Sequence, residues 1–418
     1  MRRRSSGLLG DPGFRRLLTA TALGQLGDRV IFLALPLVAI TALDSSAFQV
    51  GLLTALTTAG SLLVGLPAGA WLDRTRKRPV MIGADLARAL VLLTVPVTWW
   101  AGRLTFWWLC AVALTHGVLT VFFDVAHVSY LPHLVGRDRL VEGNARLSAV
   151  LPHCLKGVGG TPMVTAIGGP AVAGPLVGGV GAPATLLASV LGMALSGLLA
   201  TGIRGREERP ETGERPRLGR DIRVGLRFVL GHPALRAVVL GDAMFNLFLV
   251  LYQAMLLVYL ERVIGLSPFG IGLILSGMGC GALLGALLAA EVARRVGQRT
   301  VIWLAPLLTC PPTALMPLAR PGWSVGVAAA GLAALSLGGV IRVVAQSSLQ
   351  QTLTPDRLLG RMSATARFVS WGGIPLGGLL GGTSGSVFGP TATLWIGATG
   401  MTLSALPFSR VAEPGHRP

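Results

Sequence analysis

Charge is scarce in this chain, and acidic charge most of all. Of 418 residues only 18 are Asp or Glu, and Asp, Glu, Lys and Arg together make up 13%. A water-soluble domain carries roughly 25%. With 52% apolar residues and a mean hydropathy of +0.66, a globule in water would expose far too much hydrocarbon. The lipid bilayer is left as the solvent. Cysteine is sparse too. Cys110, Cys154, Cys280 and Cys310 lie scattered without C-x-x-C spacing, which excludes a disulfide framework and a zinc site. No G-x-x-x-x-G-K-[ST] segment is present, so the chain does not pump with ATP on its own. Nor does it contain H-E-x-x-H, G-x-S-x-G or a metal-ligand cluster, and neither an enzyme activity nor a cofactor is expected.

Glycine and proline are plentiful instead, at 57 and 26. Both suit membrane helices, where small residues let backbones approach and proline marks bends. The net charge of +18 does not indicate nucleic-acid binding, because the basic residues form short clusters between apolar runs. A membrane surface fits that distribution better. The arginine-rich start is followed by a long run containing Asp28 and Arg29, without a small-residue cleavage site, and reads as a retained first helix.

A spanning helix needs about 20 apolar residues. Twelve such runs are present, near 16–41, 47–71, 79–101, 104–127, 155–180, 183–203, 234–260, 268–292, 299–319, 323–345, 363–386 and 390–409. An all-α membrane protein of two pseudo-symmetric six-helix bundles is expected. The bundles take 1–203 and 234–418, and 204–233 is a polar cytoplasmic linker with at most an amphipathic helix. Of 36 Lys and Arg, 29 fall in the N-terminus, the loops after even-numbered spans and the C-terminus. Three (Arg103, Arg262, Arg320) follow odd-numbered spans, and Arg29, Arg88, Lys156 and Arg342 lie within spans. By the positive-inside rule both termini face the cytoplasm.

The halves also repeat. Ser46 to Leu52 (SAFQVGL) matches Ser267 to Leu273 (SPFGIGL) at an offset of 221, which also carries Arg78 onto Arg299. Asp138-Arg139-Leu140 before Ser148-Ala149 is echoed by Asp356-Arg357-Leu358 before Ser363-Ala364. A duplicated six-span unit is the mark of transporters whose halves rock about a central site. About ten extra residues stand near 151–162 in the first copy.

Between spans two and three the chain reads GAWLDRTRKR, Gly69 to Arg78. Gly69 lets two helix ends approach, Asp73 offers an acceptor, and Arg74, Lys77 and Arg78 suit an anionic leaflet. The segment resembles the G-x-L-a-D-r-x-G-r-k motif of the major facilitator superfamily, with Trp71 in place of Leu and Arg76 in place of the second Gly. The resemblance implies a gating latch here. The second-half copy is degenerate, with Arg294 where Asp73 would stand and Gly297 opposite Arg76. Gln25-Leu26-Gly27-Asp28, the stretch Asp85 to Leu90, Phe122-Phe123-Asp124 and the loop-like stretch Leu131 to Val135 are similar to the branch of bacterial drug and siderophore exporters. Gly174-Pro175-Leu176-Val177-Gly178-Gly179 resembles the core of a motif associated with antiporters. Gly169 to Gly174 offers a second register, and simple helix packing explains either.

Charges inside spans are expensive and each needs a reason. Asp28, mid-span in helix one, is the first candidate for coupling to protons, since a carboxyl in apolar surroundings can take up and release a proton. A structural ion pair is the alternative. Arg29 adjoins it, but helix neighbours point about 100° apart and need not pair. Asp242, with Asn246 one turn on, is the second candidate, placed near a helix end where a loop-facing role is expected. Arg342, with Gln346 one turn on, could meet an anionic substrate or close a gate. Arg88 and Asp124 are expected to pair and stabilise their half. His116 and His127 could carry protons, although packing histidines are commoner. The tryptophans read mostly as interface belts, with Trp371 and Phe245 as candidates for a cavity lining.

The expectation is a proton-driven exporter of an amphipathic small molecule, a monomer in a bacterial plasma membrane. Its partners are lipid, substrate and protons. Uptake or facilitated movement is the alternative, and a receptor without transport is disfavoured by short loops. With the native cysteines removed, one cysteine at Gly213 is expected to react with an impermeant maleimide in inverted vesicles. Labelling in intact cells would reverse the topology.

Overall fold

The computed structural model describes residues 11–72, 75–135, 161–203, 218–355 and 358–411. Among these every regular element is a helix. In chain order they are α1 (Pro12–Leu37), α2 (Ala47–Leu72), α3 (Lys77–Trp100), α4 (Phe106–Val135), α5 (Thr161–Val180), α6 (Ala182–Thr201) and α7 (Leu218–Gly231). There follow α8 (Pro233–Val258), α9 (Pro268–Val296), α10 (Gln298–Thr309), α11 (Trp323–Leu353), α12 (Leu359–Val387), α13 (Gly389–Leu403) and α14 (Ala405–Ser409). Eight segments are long and apolar enough to cross a bilayer on their own among the described residues. Four more, namely α5, α10 with its extension, α12, and α13 with α14, bring the spans to twelve.

Local chemistry sets the helix starts. Asp11 caps α1 by accepting from the Gly13 and Phe14 amides, with Pro12 in the first turn where its missing N–H is not needed. Ser46 and Gln49 form a reciprocal capping box at α2. Ser267 caps α9. The repeat is exact at these starts: Pro12 and Pro233, Ala47 and Pro268, and Lys77 and Gln298 each stand 221 residues apart. So do the single π-helical turns Val38–Ala42 and Tyr259–Val263 that finish α1 and α8. The turns that follow use left-handed backbone at Asp44 (φ 44°) and Gly265 (φ 73°), again equivalent positions. A non-glycine residue is unfavourable there. The Asp44 carboxylate accepts from Arg262 at 2.8 Å, which gives it a reason to replace glycine.

The chain forms two compact units, Met1–Leu43 with Ala59–Gly213, and Asp44–Thr58 with Glu214–Pro418. The halves expected from sequence therefore differ by one exchange: the first turns of α2 pack within the second unit. Glycine explains it. A methyl on Gly51 would collide with the Gly382 backbone of α12, and Gly378 lies against Ala55 in the same way. The opposite side of α12 presents Gly373, Gly377 and Gly381 to α8 carbonyls at one-turn intervals. Gly60 on Gly117 of α4 and Gly281 on Ala333 of α11 are another equivalent pair of backbone contacts. Larger side chains fill what remains. Phe14, Leu17, Met81, Phe123 and Tyr130 form a core in the first unit, and Val238, Ile302, Ile341 and Phe408 form one in the second.

Several boundaries differ from the sequence reading. Span nine is not one helix. α10 stops at Thr309, and Pro311 and Pro312, which lack N–H donors, turn the chain into a 3-10 segment, Pro311–Leu315. Carbonyls freed there are satisfied by tyrosines, Tyr252 donating to Thr313 at 3.0 Å and Tyr259 to Ala319 at 3.2 Å. α4 continues to Val135, so the stretch Leu131 to Val135 is helix, not loop. The linker helix α7 is amphipathic, burying Val229 beside Leu235 and Met362 while Arg223 and Arg227 stay exposed. The extra residues near 151–162 lie almost wholly outside the described residues. The belt tryptophans Trp100, Trp107 and Trp323 are exposed, as an interface requires.

One turn separates two glycines of α9 with opposite surroundings. A Cβ at Gly281 would strike the Ala333 carbonyl, whereas nothing lies within 4 Å of one at Gly277. Gly281→Ala is expected to cost about 1–3 kcal/mol by overpacking. Gly277→Ala should be neutral or gain up to ~1 kcal/mol from helix propensity. Thermal unfolding in detergent measures both, and equal effects would contradict this packing.

Candidate functional site

Among the described residues each unit holds a buried centre built around an arginine. In the first, α1 is drawn onto α6 by Gly27, whose carbonyl accepts from Ser189 at 3.0 Å. That contact turns the next residue, Asp28, toward α3 and α4. Arg88 of α3 donates to both Asp28 oxygens at 3.3 and 3.4 Å and reaches Thr120 at 3.4 Å. Its other nitrogen meets Asp85 one turn earlier on α3, and Asp85 accepts from Ser196 of α6 at 2.6 Å. The guanidinium also lies over the Phe123 ring, 4.4 Å from its centroid. His116 Nε2 stands 3.6 Å from Asp28 and has no hydrogen-bond partner.

One arginine thus joins helices one and three, and Asp85 adds helix six. The two carboxylates differ in access. The Asp85 side chain is fully buried, while that of Asp28 is 31% exposed. Of the two, only Asp28 has exposed side-chain surface.

The second centre is closed. Asp242 of α8 pairs with Arg342 of α11, and Gln346 bonds to both. The Arg342 guanidinium lies 4.6 Å from the Phe245 ring and 5.1 Å from Phe408. The Asp242 and Arg342 side chains are 12% and 4% exposed. Asp242 therefore does not face a loop, as its place near the helix start suggested. Phe245 is buried beneath the arginine. Asn246 leaves this centre and donates to the Ser370 carbonyl of α12 at 3.1 Å.

The remaining candidates are spread out. Arg88 takes its direct ion pairs from Asp28 and Asp85. Asp124, the partner expected from sequence, is exposed and acts on Arg88 through its field. His127 bonds to Thr21 at 2.8 Å and stacks on Phe123, a packing role. In the segment between α2 and α3, Asp73 and Arg74 lie outside the described residues, and Gly69 is in the last turns of α2. Lys77 is buried at the start of α3. Arg78 donates to the Ala200 and Thr201 carbonyls, and Arg16 to Gly202, so two cations cap the C-terminus of α6. On α5, the antiporter-like Gly178 and Gly179 meet open space and Gly174 with Pro175 continues the helix. The tight contact of this helix is Gly169, which lies against the Arg29 stem. Trp371 is exposed and stacks with Arg367.

From sequence, Asp85 is named only as the start of a motif stretch, not as a charged candidate, and Ser196 is not named. The Asp85-x-x-Arg88 spacing, one helical turn, is a signal that would have found the first. Nothing local marks Ser196. No group of three His, Cys, Asp or Glu side chains that would hold a metal ion occurs among the described residues.

Polar pairs buried in an all-helical, two-unit membrane chain are the arrangement of a carrier, and comparison with known proteins agrees. The family profile of transmembrane secretion effectors matches residues 8–416. The chain belongs to that family of major facilitators. The enterobactin exporter EntS of Salmonella choleraesuis is 25% identical over 406 residues, covering 94% of this chain and 91% of that protein. An uncharacterized MFS-type transporter of Sinorhizobium fredii is 25% identical over 378 residues, covering 89% and 88%. Among solved structures, the nucleoside transporter NupG superposes with a TM-score of 0.77 at 11% identity, over 96% of this chain and 99% of that one. A bacterial homologue of the iron transporter ferroportin, facing inward, gives 0.76 at 16%, over 98% and 100%. At such identities the two structures establish the fold alone. This major facilitator is a multi-pass membrane transporter.

Removing one partner of a buried pair strands the other. Asp242→Leu or Arg342→Met alone is expected to lower stability by about 3–5 kcal/mol, and the double variant by distinctly less. Thermal unfolding of the four proteins in one detergent tests this, and additive losses would rule out a paired centre.

Proposed function

We propose that this major facilitator exports an amphipathic small molecule in exchange for protons, with Asp28 as the group that carries the proton. The observation that supports Asp28 most directly is its partial exposure within an otherwise sealed ion-pair centre. With Asp28 ionised, Arg88 bridges α1 and α3. A proton on Asp28 removes that charge, and Arg88 keeps its contacts to Asp85 and Phe123 on its own side. The tie to α1 weakens while the rest of the centre holds. Local neutralisation of this kind biases a helix between two packings, which is what alternating access requires. His116, whose Nε2 has no other partner, is placed to accept from or donate to the same carboxyl.

Export in particular is supported by the exporter among the relatives and by the secretion family itself. The crowding of Lys and Arg on one set of loops supports a bacterial inner-membrane protein with both termini in the cytoplasm. Asp242 with Arg342 serves as the structural counterpart in the second unit, an ion pair joining α8 and α11.

Asp28→Asn is expected to fold and to keep substrate movement down its own gradient, but to lose acceleration by an imposed pH gradient. Proteoliposomes preloaded with a panel of amphipathic compounds provide the measurement, with inverted vesicles giving the direction. Full retention of coupling in Asp28→Asn would remove Asp28 from this role.

A further inference from the structure

Three of the mid-span cations lie in the described residues, and they are not alike. Arg88 has two carboxylates and a ring, and Arg342 has a carboxylate, an amide and two rings. Arg29 has none of these. It forms no hydrogen bond or ion pair with a described residue, and its electrostatic neighbour is Asp28, one position away on the same helix. Asp28 points its carboxylate to Arg88 and His116 instead. The Arg29 stem is pressed onto Gly169 of α5, where any larger residue would collide with its Cβ. The side chain is half-buried. A permanently charged group at mid-span is retained only where something offsets its cost. Here the protein supplies the seat, a glycine that fits the stem, and no described residue engages the forked head, which has the geometry to take two oxygen atoms.

We infer that Arg29 is a substrate-binding residue that holds an oxyanion of the transported molecule, so that the chain selects amphipathic anions over neutral compounds of the same shape. This rests on the transporter reading above, and deepens it by naming the chemical class at one site. Gly169 is the positioning residue. Its missing side chain makes the room that the Arg29 stem occupies.

The test uses 2-naphthoate and its uncharged methyl ester with the full chain in phosphatidylcholine nanodiscs and in proteoliposomes. Wild type is expected to bind the carboxylate at least about tenfold more tightly than the ester, the worth of one charge-assisted hydrogen bond. Arg29→Gln should abolish that preference, Arg29→Lys should keep part of it, and Gly169→Ala should reduce it with the charge still present. Monodisperse elution identifies variants that have folded, and Arg29→Lys keeps the test decisive where Arg29→Gln does not fold. No carboxylate binding by wild type, equal binding of carboxylate and ester, or an unaltered preference in Arg29→Gln would each overturn the assignment. So would loss of naphthoate binding when phosphatidylglycerol is added, since the oxyanion would then belong to lipid. Selective binding without release from proteoliposomes would contradict export and leave the Arg29 site standing. Release of both compounds at equal rates would do the reverse.

Discussion

A guanidinium that cannot reach water must find its counter-charges in the protein, and the first unit is organised around Arg88 doing so. Its side chain has no exposure, and it is met by Asp28, Asp85 and the Phe123 ring. In a low-dielectric interior, breaking one such contact without replacement is far more costly than at a surface. The arrangement of α1, α3, α4 and α6 is therefore tied to the partners of one guanidinium. Ser196 and Thr120 add hydrogen bonds to this buried network, and Arg88 Nε and His116 Nε2 remain without one.

Hydrophobicity places helices in the bilayer but does not bring them together there, since lipid tails are as apolar as leucine. Backbone approach does that work in this chain. Gly60 on Gly117, Gly281 on Ala333, and the two glycine faces of α12 all allow helices closer than side chains permit. The same device explains why 44–58 belongs with the second unit. Gly51 and Ala55 find backbones of matching smallness on α12. Hydroxyls follow the same economy. Thr54, Thr57 and Thr98 return their protons to carbonyls of the preceding turn, so they present little polarity to a neighbour.

Most of the fold was legible because its signals are local or periodic. Apolar run length gives spans, and a shared offset gives the repeat, which the structure repeats at Val38 and Tyr259 down to a single π turn. Pro311-Pro312 was legible in principle as a break in span nine, yet composition over a 20-residue window hides two prolines among leucines. The candidate site was legible only as a set of expensive residues. Asp28, Arg88, Asp242 and Arg342 were recognisable by cost, but helix periodicity does not say which faces meet. Arg88 was accordingly matched to Asp124 by depth alone, while its direct partners came from α1 and its own helix.

The order of residues by itself determined that the chain spans a membrane, how often, and as two copies of one unit, because each of these depends on stretches read along the chain. Tertiary structure alone decided that Asp28 keeps exposed surface while Asp85 does not, that Arg342 is paired while Arg29 has no ion pair with a described residue, and that Gly169 rather than Gly178 is the close contact of α5. Those outcomes turn on the rotation and spacing of helices about one another. Rotation is set by contacts between residues far apart in sequence, which no local pattern encodes.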